Sequence, residues 1–493
     1  MLPRPDLDPE SEVPLYRQLQ AYFGQLIQSG QLARGERVPA TRELAGILGL
    51  NRSTVAAAYE LLEAGGLIAS HVGRGSFVIG GPAPGANGVD WESLLPRFEG
   101  LSTGPAPAAG NSAISFAASR PSEQLFPLGA LRDSCIEVMQ GQDFAEVLQL
   151  GAPSGYEPLR QYLLESARSR QWAKPSDDLM ITSGCQQALD LIARVLLKPH
   201  DKVVLEDPVY PGLKNLFTAV GAELIGVPVD SEGIDVEYLD RVLRRDRPRL
   251  LVVTPDFQNP TGTTLPLAAR KTLLRAAREN GTVVIENNLY GELRYEGQAI
   301  AGLKQLDETG DVVLLRSFSK ITFPGLRVGW VMGPKPLLAC LARLKQLSDL
   351  HTDQLSQAVL LRFAQSGRLE EHRGRMLAAG AERLKAVLDA CHYFLPPEAR
   401  FTRPQGGMNL WVRLPEPLDA GELLPKAQRE NITYLPGRYF AVSRFEPGGL
   451  RLSFAGLTPE EIRKGVSILG RIFAEALERA RASRGIEPAP AMV

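Results

Sequence analysis

The chain has 493 residues, 44% hydrophobic and 23% charged, with 55 basic side chains against 56 acidic ones. At roughly 150 residues per domain this length calls for more than one core, and the even charge balance excludes a basic nucleic-acid coat protein. The longest apolar runs, such as residues 250–254, fall far short of the roughly 20 residues of a membrane helix. The first residues carry no apolar signal core, and four scattered cysteines without a CxxC pair offer neither a disulfide framework nor a zinc site. The expectation is a cytoplasmic protein with no membrane segment and no metal.

In chain order, Leu15, Leu19, Tyr22, Phe23, Leu26 and Ile27 recur at helical spacing and predict a first helix over 15–27, stopped by Gly30. Pro39-Ala-Thr opens a short second helix with Thr41 as its N-cap, Leu44, Ala45 and Leu48 turned inward, and Gly49 at its end. A third helix runs from Asn51 or Ser53 to Ala64. Val55, Tyr59 and Leu62 face its core, which leaves Arg52, Ser53, Thr54, Ala57 and Ala58 free. Two helices joined by a glycine turn, the second led by Arg, Ser and Thr, are the layout of a helix-turn-helix. Residues 67–70 and 76–79 then read as a hairpin with Arg74 between two glycines at its tip, placed for a phosphate or minor-groove contact. Charge alone argues weakly for DNA, because the six arginines and four glutamates of this unit leave only +2. On pattern alone a small helical docking domain is an equal reading.

Residues 80–111, with GGPAPGANG and GPAPAAGN, are rich in Gly, Pro and Ala and read as a linker. The expected division is a head over 1–80, a linker over 81–112 and a larger unit over 113–493, with a frayed tail after Arg484. In the larger unit strand-like runs alternate with amphipathic helices, which argues an α/β fold with a largely parallel sheet. Runs at 202–206, 250–254, 283–285 and 312–315 lead into EDPVY, NPTG, ENNLY and SFSK, so these segments sit at carboxyl ends of strands, where open α/β sheets bind ligands. Thr182-Ser-Gly184 followed by Cys185 is a glycine turn into a helix N-terminus, a natural phosphate seat. Ser317, Ser319 and Arg327 add donors around Lys320. By itself that lysine is better read as a further phosphate cation or as an exposed surface lysine.

The order of the segments decides between these readings. Residues 14–79 resemble the winged helix-turn-helix of the GntR family of bacterial regulators. SGCQQ, EDPVYPG, NPTG, ENNLYGELRY, SFSKITFPGLRVGW and GGLRLSFA, in that order, resemble fold-type I pyridoxal phosphate aminotransferases. Joined, the chain resembles the MocR/GabR subfamily. The first resemblance implies that Arg42, Arg52, Thr54 and the wing around Arg74 contact operator DNA, with Ser53 on the same face. The second implies that Lys320 is the Schiff-base lysine, that Tyr210 stacks on the pyridoxal phosphate ring, and that Asn259 and Tyr290 bond its phenolic oxygen. It further implies that Cys185, Gln186, Ser317, Ser319 and Arg327 hold the phosphate and that Arg451 grips an effector carboxylate. The subfamily also implies a domain-swapped homodimer and an amino-compound effector, or pyridoxal phosphate itself as the signal.

Two positions depart from the pattern. Asn287 stands where the family has the aspartate that keeps the pyridine nitrogen protonated, and a neutral amide makes the ring a poorer electron sink. Leu150 stands where aminotransferases have a tyrosine reaching the neighbouring subunit's phosphate. A DNA-binding regulator with little or no transaminase turnover is therefore expected. An active aminotransferase with an attached DNA-binding head is the alternative.

Overall fold

The computed structural model describes residues 5, 7–9, 11, 13–71, 75–80 and 114–484, and the chain separates into two compact units, Met1–Phe98 and Glu99–Val493. The expected linker over 81–112, the tail after Arg484 and Arg74 lie outside the described residues.

In the first unit, α1 (Leu15–Gln28), β1 (Arg37–Val38), α2 (Thr41–Leu48), α3 (Arg52–Ala64), β2 (Ile68–His71) and β3 (Gly75–Val78) follow one another. Leu19, Phe23, Val55, Tyr59, Leu62, Ile68 and Val78 close one core, each large apolar side chain contributing about 1.5–3 kcal/mol on burial. The Tyr59 hydroxyl donates to the Pro39 carbonyl at 2.8 Å and ties α3 to the start of α2. Gly49, at φ 68°, ends α2 in the left-handed conformation that a side chain would resist. Three sequence expectations change. Thr41 is the first helical residue and no side chain caps α2, because Ala40 takes the extended cap position. Ala58 is fully buried rather than free, since it completes the Val55, Ala58, Tyr59, Leu62 stripe. The hairpin gains a third strand, β1, paired antiparallel to β3.

The second unit opens with β4 (Ile114–Ser115) and builds one large sheet from β5 (Asp177–Thr182), β6 (Lys202–Asp207), β7 (Glu223–Asp230), β8 (Gly233–Ile234), β9 (Leu250–Val253), β10 (Val283–Asn287), β11 (Val312–Ser317) and β12 (Gly329–Pro334). Their spatial order is β5-β12-β11-β10-β9-β6-β7-β8. Only β12 and β8 pair antiparallel. Alternate residues of the central strands serve opposite faces. Val203, Leu205, Val252, Ile285 and Leu315 pack on one side against α4 (Cys185–Leu196), whereas Val204, Leu251, Val253 and Val284 pack on the other against the helices over 236–246 and 267–279. Both faces are covered, as a mostly parallel sheet requires.

A smaller antiparallel sheet of β13 (Arg400–Phe401), β14 (Asn409–Arg413), β16 (Leu435–Pro436) and β17 (Gly449–Ser453) packs against α5 (Arg368–Phe394) and α6 (Pro459–Arg484). The apolar stripes at 378–388 and 466–477 supply much of that core. Between β14 and β16, β15 (Ile432–Thr433) pairs with β4, and this parallel pair anchors the segment 115–119 beside the carboxyl ends of the large sheet. No helix among the described residues is long and apolar enough to cross a membrane.

Candidate functional site

The four segments expected at strand ends do converge. A cavity of about 620 Å³ lies there, lined by residues that follow β4, β6, β9, β10 and β11 and by the N-terminus of α4. Cys185, Gln186, Tyr210, Asn259, Asn287, Tyr290, Ser317, Ser319, Lys320, Arg327 and Arg451 all line it.

One corner is a set of donors. Gly184, at φ 79°, turns the chain into α4, and the first N–H groups of that helix face the cavity without helical partners. A Cβ on Gly184 would lie 2.3 Å from Arg327 Nη2, so the glycine leaves the room that the guanidinium occupies. Arg327 itself has a left-handed backbone and donates to Ser319 Oγ at 3.4 Å and to the Ser183 carbonyl at 3.5 Å. Ser317 Oγ donates to Ser319 Oγ at 2.9 Å and accepts from its N–H at 3.0 Å. Cys185 contributes its backbone, since its thiol donates instead to the Arg316 carbonyl at 3.2 Å, and burial pushes it up to about 12.

Opposite this corner, Lys320 Nζ donates to the Ser119 carbonyl at 2.7 Å and lies 5.6 Å from the centre of the Tyr290 ring. Asn259 Nδ2 donates to Tyr290 Oη at 3.2 Å, and its Oδ1 accepts from Arg451 Nη1 at 3.0 Å. Arg451 also donates through Nη2 to the Ala117 carbonyl, while its buried Nε has no protein partner. Burial would push the Tyr290 phenol up, but Lys320 and Arg451 outweigh it and hold the phenol below its ordinary value. Among the described residues no carboxylate pairs with Lys320, Arg327 or Arg451, and none lines the cavity. Three cations in one hollow without a counter-charge are an anion site.

Asn287 ends β10 facing the cavity. Its Nδ2 donates to Thr254 Oγ1 at 3.4 Å, and its Oδ1 is buried with no protein partner. Glu286, one residue earlier, points to the other face of the sheet, as strand alternation dictates. There it accepts from the Lys304 N–H at 2.6 Å and from Asn288 Nδ2 at 3.1 Å, and lines a separate cavity. It has no access to the place that Asn287 faces. Sequence reasoning missed Ala117 and Ser119, which reach Arg451 and Lys320 through their carbonyls, and Thr254 between β9 and the NPTG turn. The two carbonyls carry no side-chain signal; Thr254, directly after a strand-like run, did offer a positional one.

In the first unit, Arg42, Arg52 and Ser53 are exposed and Thr54 is half-buried. Asn51 caps α3 by accepting from the Ser53 N–H at 3.3 Å, which fixes the end of the helix that carries Arg52 and Ser53. Val55, Ala58, Tyr59 and Leu62 bury one stripe of α3, while Arg52 and Ser53, in its first turn, stay exposed.

Fold and cavity together define a pyridoxal phosphate-type transferase domain, and comparison with known proteins agrees. The model of aminotransferase class I and II matches residues 125–469, and that of the bacterial regulatory proteins of the gntR family matches residues 15–78. Aromatic-amino-acid aminotransferase 1 of Thermococcus litoralis is 35% identical over 372 residues, 74% of this chain and 89% of that protein. The probable rhizopine catabolism regulatory protein MocR of Rhizobium meliloti is 28% identical over 475 residues, 95% of each chain. Among solved structures, Pyrococcus horikoshii kynurenine aminotransferase in complex with PMP superposes with a TM-score of 0.75 at 34% identity, covering 79% of this chain and 98% of that one. The chain belongs to the class I and II aminotransferase family, fused to a gntR-family head in the manner of the MocR-type regulators. Pyridoxal phosphate is the cofactor of that family.

Proposed function

We propose that residues 1–80 bind operator DNA, that 81–112 tether them, and that 113–493 hold pyridoxal phosphate and sense an amino compound, in a cytoplasmic homodimer with little transaminase turnover. The observation that carries this reading is the pairing of an outward-facing Arg52–Ser53 helix end with a cavity whose three cations lack counter-charges. The cavity fits the cofactor on the chemistry of its donors. Arg327, Ser317, Ser319 and the N-terminus of α4 suit a phosphate dianion, Tyr290 and Asn259 suit a phenolic oxygen, and the unpartnered Asn287 Oδ1 suits a ring nitrogen bearing a proton.

When bound, the cofactor supplies an aldehyde that condenses with amines and a ring that withdraws electrons. Lys320 Nζ, held at the Ser119 carbonyl, is the protein nitrogen with which an effector amine competes. Arg451 receives the effector carboxylate; its Nε is unpaired and its Nη groups are steadied by Asn259 and Ala117, so the guanidinium is oriented in advance. Asn287 brings no negative charge to the ring nitrogen, which disfavours carbanion chemistry while leaving amine exchange at Lys320 open. Support for the homodimer comes from Leu128, Met139, Leu148 and Leu150, four large apolar side chains each more than half exposed in the single chain. The effector acts through its unequal affinity for two arrangements of the dimer.

The test uses the full-length, cofactor-loaded protein. Its absorbance and its retardation of a promoter fragment are followed across an amino-acid panel. One amine should change both without release of oxo acid, and Lys320→Ala should keep DNA binding while losing the response. Rapid conversion of several amino acids to oxo acids would establish the active aminotransferase instead.

A further inference from the structure

Arg451 is a buried cation, 3% exposed, with no carboxylate partner among the described residues. Burial pulls it down to about 10, with the Tyr290 and Tyr210 phenols opposing the change. A charge kept in such a place needs a stabiliser other than an acid, and one lies behind it. The guanidinium carbon of Arg451 is 5.1 Å from the centre of the Phe440 ring, within the roughly 6 Å over which an aromatic face attracts a cation. Phe440 is fully buried and is not among the residues that line the cavity, so its ring backs the guanidinium and does not face an effector. The ring is itself fixed. The Phe440 N–H donates to the Gly437 carbonyl and its carbonyl accepts from the Val209 N–H, both at 2.9 Å, which ties it to the residue before Tyr210. Trp411, the partner of Arg451 in the pairing of β14 with β17, meets the Phe440 ring edge to face at 5.5 Å and 88°. A Cβ on Gly449 would lie 2.5 Å from Trp411 Cζ2, so that glycine leaves the room the indole occupies.

An arginine carries five N–H donors. Arg451 spends two of them, on Asn259 Oδ1 and on the Ala117 carbonyl, which leaves the Nε–H and one N–H on each Nη for a carboxylate. An acidic partner would stabilise the charge but compete for those donors and cancel the field that draws an anion. An aromatic face stabilises the cation and takes no N–H from its edge. A ligand binds at its intrinsic affinity only to the fraction of molecules already in the competent arrangement, and the ring raises the fraction in which Arg451 presents its free donors to the cavity. We infer that Phe440 is a positioning residue which, by backing Arg451, sets the sensor's preference for amines that bear a carboxylate over the same amines without one. Amine exchange at Lys320 does not pass through Phe440, so the two contributions can be measured apart. The inference rests on the reading of the cavity as a cofactor and effector site.

The experiment titrates full-length, cofactor-loaded protein with L-alanine and with ethylamine, which lacks only the carboxylate, and follows the absorbance. Phe440 is replaced by trifluorophenylalanine, which nearly keeps the shape of the ring and drains its negative face, and separately by leucine, as Phe440→Leu. In both proteins the affinity for L-alanine relative to ethylamine should fall at least about fivefold, with the ethylamine titration as in wild type. The fluorinated ring suffices if Phe440→Leu fails to fold. A wild-type ratio retained in the trifluoro protein, or an equal loss for both amines, overturns the inference alone. A wild-type protein whose absorbance responds to neither amine overturns the cavity reading and the inference with it.

Discussion

Asn287 and His372 are single residues with separable consequences. Because Asn287 differs from the family acid by one charge, Asn287→Asp should raise transamination of the effector amine at least about tenfold, equal to about 1.4 kcal/mol of barrier, measured as oxo acid formed per bound cofactor. An unchanged rate would mean that turnover is limited elsewhere. His372, on α5, is fully buried, both ring nitrogens lack partners, and it stacks on Phe323 with centroids 6.3 Å apart. Burial, helped by Arg375, pulls it from 6.5 down to about 4. A histidine held below its unfolded value contributes stability above pH 6.5 that is lost as pH falls from there toward 4, on the order of 3 kcal/mol in all. Denaturant titrations across that range should show the loss in wild type and not in His372→Phe. Most cavity residues were legible in the sequence because their motifs are short: Lys320 with Ser317 and Ser319, or Asn259 with Pro260. Thr254 was not, because its partner Asn287 lies 33 positions away and meets it only through the pairing of β9 with β10.

At the scale of elements, alternation and helix ends do the placing. The alternation of β10 sends Glu286 to a face remote from the cavity, which a sequence can suggest but only the pairing of β10 with β9 and β11 fixes. The N-terminus of α4 depends on Gly184. Gly184→Ala places a Cβ against Arg327 in an essentially glycine-only backbone conformation, φ 79° and ψ 170°, that costs other residues about 1–3 kcal/mol, so cofactor affinity should fall at least about tenfold in a fluorescence titration. A wild-type Kd would show that Arg327 is not needed for the phosphate. Lys304, 1% exposed, bridges Asp177 at the start of β5 and Asp307 before β11 at 3.0 and 3.6 Å. Lys304→Ala leaves two buried carboxylates uncompensated and should cost about 3–5 kcal/mol by chemical denaturation. The antiparallel β12 and the third strand of the head had no period to betray them, since β1 has two residues and both faces of β12 are apolar.

For the whole molecule, the separation into two units predicts separable losses. Arg52→Ala should weaken promoter binding by about 1–3 kcal/mol and leave the cofactor absorbance untouched; a change in both would show that the head bears on the cavity even without effector. That the chain forms two units was legible because residues 80–111 change composition abruptly. The geometry within the large unit was not, since Arg451 meets Ala117 across 334 positions. A last consequence follows from the short exposed end of α3 and the low charge of the unit that bears it. In the proposed homodimer two heads would bind tightly only when their separation matches two half-sites, since the second contact then draws on a high effective concentration. Regulation under that constraint needs no change within the reading helix. A small shift in spacing would then forfeit avidity all at once and steepen the response to the proposed effector, however weakly it discriminates between the two arrangements.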